Sequence, residues 1–491
     1  MYRATPEEMG ISSSSITAFI RFLEDNRIPA HDLLLARGDA LVYEGYWKPF
    51  DAAFCHRMYS VSKSLVALAV GFAWQDGLID LDERIFTYFP AESAGQTDEN
   101  MARQTVRHML MMSTAKDDGF WFADKPADRV RYYFENSRPS RPCGCFFRYD
   151  SAGSFVLCAL VERRTGKSFM AYMREKLFDK IGVSENITCL QCPGGHSWGD
   201  SAVICPPVDI LKIARFTMNG GSWNGEQILD RTYVETAVSK QIDNDYWGEN
   251  LYNTQGYGYL IWRTFDNSYF FNGMGAQLAV CVPDKDIILM FNGDTQGHDP
   301  VARNLLMEAF FRLIVRPAAN MPLPVNAAGA EELATLTASL RLIAAAGESY
   351  SPLAAAIDGV TYHMAENPMG ITSMHFTFTE DGGVWHYINA QGEKTLPFGL
   401  CQNVFGEFPQ DGYADEIGTV SGQRRYACAA SAAWTEPHKL ALQVQIIDTY
   451  FGNLHAVFTF GKADCCVVMQ KAAEDFLDEY AGEAVGYVVT E

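Results

Sequence analysis

The stretch Tyr59–Leu81, YSVSKSLVALAVGFAWQDGLIDL, sets Ser60, Ser62, Lys63 and Ser64 at the mouth of an almost wholly apolar run. Two readings compete for its first turn. Serines are common helix N-caps, and a lysine beside them is ordinarily a solvated side chain. Ser60 and Lys63 are three residues apart, however, so both project from one face of a helix that Ser60 opens. That brings an amine within reach of a hydroxyl. A lysine desolvated by neighbours such as Leu65, Val66 and Leu68 gives up its proton more readily and can activate the serine. The helix N-terminus favours negative charge developing beside it. A buried helix seldom starts with a solvated charge, so the apolar run behind Lys63 raises the second reading.

Upstream, Ile16, Phe19, Ile20 and Leu23 mark a short amphipathic helix, and HDLLLARGDALVYEGYW (31–47) reads as a hairpin turning at Arg37-Gly38-Asp39. Downstream the pattern is mainly helical to about Lys240, with turn-rich insertions at 113–147 and 186–208 that would shape specificity. Strand patterns return in GYGYLIWRTF (256–265), SYFFNG (268–273) and QLAVCVPDKDIILMFNGD (277–294), the last divided at Pro283-Asp284-Lys285-Asp286. A helix over 301–315 then closes a domain in which both ends of the segment share one sheet covered by helices.

The stretch RPAANMPLPVNAAGA (316–330) is rich in proline and small residues and marks a linker. Domains are expected at 1–318 and 333–491, with the linker at 319–332. After a helix at 331–345, the remainder alternates strand-like runs such as GVTYHM, HFTFTE, GVWHYIN, LALQVQIID and LHAVFTFG. Regular spacing with Gly and Asp turns points to an all-β barrel or sandwich.

With 491 residues, 48% of them hydrophobic, the chain can bury a large core in more than one domain. A formal charge of -21 argues against nucleic acid, whose phosphates need a basic face. No secretory signal pattern and no uninterrupted apolar span of about 18 residues is present, so the expectation is a cytoplasmic protein without a membrane partner. The twelve cysteines then read as free thiols. Cys143-x-Cys145 with Cys189-x-x-Cys192 is a weak candidate for a four-thiolate metal site, because the first pair is too tight for the usual zinc spacing.

In FFRYDSAGSFVLCALVERRTGKSF (146–169), Tyr149-Asp150-Ser151 precedes an apolar helix. Taken alone, Tyr149 is a packing residue and Ser151 a cap. Taken with Lys63, a phenol near an ammonium ionises more easily and can relay a proton.

Together these motifs resemble the serine β-lactamase and penicillin-binding-protein superfamily, and within it the class C-like branch of esterases, D-amino-acid peptidases and 6-aminohexanoate-dimer hydrolases. The likeness spans roughly residues 5–315. It extends to the hairpin at 31–47, to DGLIDLDERIFTYFP (76–90) and to TVRHMLMMSTA (105–115), in the family's order. It implies an α+β fold: an antiparallel sheet flanked by helices, with a helical lobe and the active site between them.

The resemblance makes Ser60 the acylated nucleophile, Lys63 its proton acceptor and Tyr149 the acid/base that protonates the leaving group. The family's second motif is usually Tyr-x-Asn; here Ser151 replaces the asparagine, as in the ester- and amide-hydrolysing branch. The third motif is normally Lys-Thr-Gly or His-x-Gly, and the matching stretch is FFNGMGAQLAVCV (270–282). Gly273-Met274-Gly275 aligns with it, or a register beginning at Asn272. The Ala276 N–H would join that of Ser60 as the oxyanion hole. Taken alone, these glycines read as a strand bend. A cationic or imidazole side chain is missing at this motif, which disfavours substrates recognised through a carboxylate, penicillins among them.

Gly195-His196-Ser197-Trp198-Gly199 fits the G-x-S-x-G elbow of α/β-hydrolases, but neither a strand before it nor a helix after it is apparent. His196 and Trp198 read as loop packing in preference to cleft lining.

The expectation is a serine hydrolase cleaving an ester or amide of a small molecule or short peptide through an acyl-enzyme, with no metal or organic cofactor. A catalytically weak binding or sensor protein and an acyltransferase are the rivals. The β-rich domain could cover the cleft, limit substrate size or make a homo-oligomer.

Overall fold

The computed structural model describes residues 1–116, 126–136, 141–248, 250–296, 301–410, 425–448, 451–472 and 477–488. Of the insertion at 113–147, residues 117–125 and 137–140 lie outside the described residues. The described chain forms two compact units, one from Met1 to Arg341 and one from Leu342 onward. No helix among the described residues is long and apolar enough to cross a membrane.

In the first unit the elements that place the site are β1 (Tyr2–Arg3), α1 (Ser13–Asp25), β2 (Ala30–Arg37), β3 (Ala40–Tyr46), β4 (His56–Arg57), α2 (Val61–Gln75), α3 (Ser151–Thr165), β5 (Val203–Cys205) and α4 (Pro207–Met218). They continue with β6 (Trp262–Arg263), β7 (Tyr269–Gly273), β8 (Gln277–Val282), β9 (Ile287–Gly293), α5 (Val301–Phe310) and α6 (Ala327–Ser339). The seven-stranded sheet runs β1-β3-β2-β9-β8-β7-β6 and is antiparallel except for β1 on β3.

The expected hairpin is β2–β3, with Arg37 paired to Ala40 and Gly38 in the left-handed region at φ +55°. Its first strand pairs with β9, Leu34 opposite Met290, so the two ends of the unit do share one sheet. The turn at 283–286 is a short 3-10 helix between β8 and β9.

Helix α2 is buried from Val61 to Ala73 and packs on α3, itself buried from Ala152 to Val161. An all-round apolar sequence suits a helix with no solvent face. Each fully buried Leu or Val contributes about 1.5–3 kcal/mol.

Two expectations differ in detail. GYGYLIWRTF supplies only the two residues of β6. Leu260 sits at φ +53°, its N–H bonds the Leu110 carbonyl and its carbonyl accepts from the Ser64 hydroxyl, so side-chain and loop partners replace a strand ladder. The helix expected at 331–345 is α6, starting at Ala327 because the Asn326 side chain accepts the Gly329 N–H and caps it. It packs on α1, with an Arg21–Glu332 ion pair at 2.7 Å.

In the second unit, the strand-like runs form β10 (Tyr362–Met364), β11 (Ser373–Phe378), β12 (Gly382–Asn389), β13 (Gly392–Leu400), β14 (Val404–Glu407), β15 (Ala427–Glu436), β16 (Lys439–Ile447), β17 (Phe451–Phe460), β18 (Asp464–Ala472) and β19 (Gly482–Val488). Nine of them follow one another as β13-β12-β11-β10-β19-β18-β17-β16-β15, and a parallel pairing of β13 with β15 closes the ring. The domain is a barrel, with β14 added on β15. Alternate residues point inward, so that Trp385 stacks on Tyr387 at 4.0 Å while Phe376 meets Phe458 edge-on at 4.9 Å.

Candidate active site

The first turn of α2 is held from outside. Tyr59 sits at φ +46°, which costs a non-glycine residue energy that the surroundings must supply. The Met58 N–H bonds the Val203 carbonyl at 2.8 Å, and the Ser62 hydroxyl accepts the Val203 N–H at 3.0 Å. Strand β5 therefore clamps both sides of Ser60. The Ser64 hydroxyl donates to Leu260 at 2.9 Å.

Ser60 is the N-cap by position, yet its side chain makes no capping bond. Its Oγ lies instead 3.0 Å from Lys63 Nζ. Lys63 is 2% exposed, and its Nζ also bonds the Asp200 carbonyl oxygen at 2.7 Å. The capping alternative thus finds no bond, and the amine–hydroxyl pairing does.

Tyr149 lies on the loop before α3. Its ring is 5.1 Å from Lys63 Nζ and stacks on Trp262 at 5.7 Å, and its hydroxyl makes no hydrogen bond to another described residue. Asp150 fixes that loop: its carboxylate accepts from the Gly153 N–H at 2.8 Å and the Thr114 hydroxyl at 2.9 Å. Ser151 is the first residue of α3 and makes no hydrogen bond to Lys63.

Gly273 ends β7 and pairs with Gln277 across a turn made of Met274, Gly275 and Ala276. A β-carbon on Gly273 would fall 2.4 Å from the Met58 carbonyl oxygen, so only glycine lets this strand approach the start of α2. Gly275 and Ala276 have φ of +73° and +67°. Ala276 is fully buried and Met274 half-buried. Sequence reasoning did not single out Gln277. Its buried Nε2 donates to the Met274 carbonyl at 2.9 Å and the Gly293 carbonyl at 2.8 Å, tying the turn to β9.

Two charged residues were also missed. Arg303, on α5, donates to Asn272 Oδ1 at 2.7 Å and approaches the Gly273 carbonyl at 3.5 Å, which sets a guanidinium beside a strand whose own motif has no cation. Asp200 lies beside Lys63, its carboxylate 4.0 Å from Nζ. Burial pushes the Asp200 carboxyl above its ordinary range, opposed by Lys63, Arg129 and Arg57. A G-x-G or S-x-x-K pattern could have flagged neither.

The G-x-S-x-G stretch is no elbow: Ser197 is buried, bridges to Gln191, and the next helix is α4 at Pro207. Trp198 is fully buried between the guanidinium groups of Arg57 and Arg129, at 4.6 and 4.9 Å, and His196 pairs with Glu162 at 2.8 Å. These are loop-packing roles.

The Beta-lactamase family model matches residues 16–309. The chain belongs to this family. A 6-aminohexanoate-dimer hydrolase from Paenarthrobacter ureafaciens is 24% identical over 257 residues, 48% of this chain and 64% of that protein. The chain thus spans just under two thirds of that relative's length. Among solved structures, the octameric penicillin-binding protein homologue from Pyrococcus abyssi is 14% identical with a TM-score of 0.50, covering 96% of this chain and 99% of that one. EstCE1, a hydrolase with promiscuous acyltransferase activity, is 14% identical with a TM-score of 0.50, covering 61% of this chain and 99% of its own. At these identities the two structures speak to the fold alone.

Proposed function

We propose that this protein is a serine hydrolase that opens ester or amide bonds of small molecules or short peptides through an acyl-enzyme on Ser60. The observation that carries it is the 3.0 Å approach of Ser60 Oγ to the buried amine of Lys63. Lys63 takes the hydroxyl proton as Oγ bonds to the substrate carbonyl carbon, and the carbonyl electrons move onto its oxygen. The Ser60 amide and one from the Met274–Ala276 turn receive that oxyanion; the sequence favours the Ala276 amide. Tyr149, whose hydroxyl is uncommitted, returns a proton to the leaving alcohol or amine as the tetrahedral adduct collapses. Water then enters by the same steps reversed. Ser151, Gly273, Met274 and Gly275 border the substrate.

The hydrolase named above acts on 6-aminohexanoate dimer, which makes a short linear amide a fitting first substrate. A second reading, transfer of the acyl group to an added alcohol or amine, draws on the promiscuous acyltransferase activity of EstCE1. Incubation with a fluorophosphonate followed by peptide mapping tests the main reading. Label on Ser60, absent from Ser60→Ala, together with turnover of p-nitrophenyl esters is the expected result. Failure of the pure protein both to label and to turn over would favour a binding or sensor protein instead.

A further inference from the structure

Burying a carboxylate without hydrogen bonds is costly, and such a group persists where its charge is used. Asp200 is such a group. Its side chain is 1% exposed, and no other described residue gives Oδ1 or Oδ2 a hydrogen bond. The cations that face it are Lys63, Arg57 and Arg129, and the thiols of Cys158, Cys189 and Cys192 lie within its field. Arg57 directs its Nε and one terminal nitrogen to the Ser201 carbonyl and hydroxyl, at 3.1 and 3.0 Å, while Arg129 reaches Cys192 Sγ at 2.6 Å. Lys63, besides Ser60, has two polar contacts among the described residues, both to Asp200: the carbonyl oxygen at 2.7 Å and the carboxylate at 4.0 Å. The face of the Tyr149 ring lies 5.1 Å from Nζ.

We infer that Asp200 is a positioning residue for catalysis: its buried carboxylate is the counter-ion that keeps Lys63 aimed at Ser60 and balances the charge Lys63 gains on taking the serine proton. This rests on the reading of Ser60 and Lys63 as nucleophile and base. In that step the hydroxyl loses a proton and the buried amine of Lys63, 2% exposed, becomes an ammonium. In this role the carboxylate acts through its charge and transfers nothing. Without its charge the new ammonium would add to the positive Arg57 and Arg129 beside the same position.

The test compares Asp200→Asn, Asp200→Glu and Lys63→Ala with wild type in p-nitrophenyl ester hydrolysis across pH, with rates expressed per fluorophosphonate-titratable site so that partial folding does not count as lost activity. Asp200→Asn is expected to lower kcat by about 10- to 100-fold with KM changed by less than about threefold, less than the about 100- to 10,000-fold of a group that transfers the proton itself, because Asp200 acts through Lys63. The acidic limb of kcat/KM should move to lower pH, since removing an anion disfavours the protonated site. Asp200→Glu, which keeps the charge, should restore much of the rate and the wild-type pH profile. Equal losses in the Asn and Glu variants, or a wild-type rate and profile in Asp200→Asn, would overturn the proposal. If Asp200→Asn yields no titratable sites, Asp200→Glu decides: a wild-type pH profile supports the counter-ion role and a displaced one overturns it. Wild-type turnover by Lys63→Ala would instead remove the underlying assignment of the base, whatever Asp200 does.

Discussion

Gly273 lies against Met58 so closely that a β-carbon on it would fall 2.4 Å from the Met58 carbonyl oxygen. The sheet is thereby pressed onto the backbone that delivers Ser60, and the contact is backbone to backbone, with no flexible side chain to yield. Gly273→Ala must push β7 away from α2. It should cost about 1–3 kcal/mol of stability, the range for overpacking, and it should lose ester hydrolysis. Gly95→Ala is the control, because nothing lies within 4 Å of its added methyl. Urea midpoints and turnover of the two variants check this, and a Gly273→Ala protein of wild-type stability would show that the strand is not held as described.

Substitutions at Ser60 and Ser62 test chemistry and architecture separately within one turn. The Ser60 hydroxyl satisfies no backbone group, so Ser60→Ala should abolish fluorophosphonate labelling and leave stability within about 0.5 kcal/mol. Ser62 is fully buried and accepts the Val203 N–H at 3.0 Å. Ser62→Ala leaves that donor unpaired, so a loss of about 1–3 kcal/mol is expected, with labelling at Ser60 retained. Labelling that survives in Ser60→Ala would move the nucleophile elsewhere.

What could be read from the chain beforehand follows interaction range. Ser60 and Lys63 are one helical turn apart, and the β2–β3 hairpin turns within its own segment, so local spacing reveals both. The barrel strands announce themselves by alternation, as Met374 and Phe376 do on β11. Asp200 could not be read this way, because it meets Lys63 across 137 residues and from a loop without period. Residues 256–261 looked like strand because their composition is right, whereas Ser64 and Leu110 claim the Leu260 backbone. Burial decided that contest, and composition cannot see it.

Gln277 gives a prediction about the Met274–Ala276 turn. Its amide ties the Met274 carbonyl to that of Gly293, and it does so beneath two residues with left-handed backbone. Gln277→Leu keeps the bulk and removes both donors. About 1–3 kcal/mol of stability should be lost for the unpaired carbonyls, and kcat should fall about 10-fold or more if the turn carries an oxyanion donor. Steady-state kinetics beside thermal unfolding will tell: a variant destabilised yet fully active would place the donor outside this turn.

The remaining prediction concerns pH and the buried pair behind β4. Asp32 is fully buried, accepts twice from Asn292 Nδ2 at 3.1 and 3.0 Å, and lies 3.5 Å from His56 Nδ1. Burial pushes the Asp32 carboxyl up to about 8 from an ordinary 3.8, and pushes His56 down to about 3 from 6.5. Between 3.8 and about 8 the folded chain therefore keeps an Asp32 proton that the unfolded chain has released, so this group's contribution to stability falls as pH rises. His56 acts in the opposite sense: between 6.5 and about 3 the unfolded chain takes up a proton that the folded chain refuses, and stability falls as pH drops. The two slopes oppose each other below 6.5, and above it only that of Asp32 remains. Wild-type unfolding free energy should accordingly decline from pH 6.5 to pH 8 relative to Asp32→Asn, which carries no titrating group there. Urea unfolding of both proteins at the two pH values isolates the difference from every other titrating side chain. Equal slopes in the two proteins would mean that Asp32 is ionised in the folded state, balanced by a charged His56.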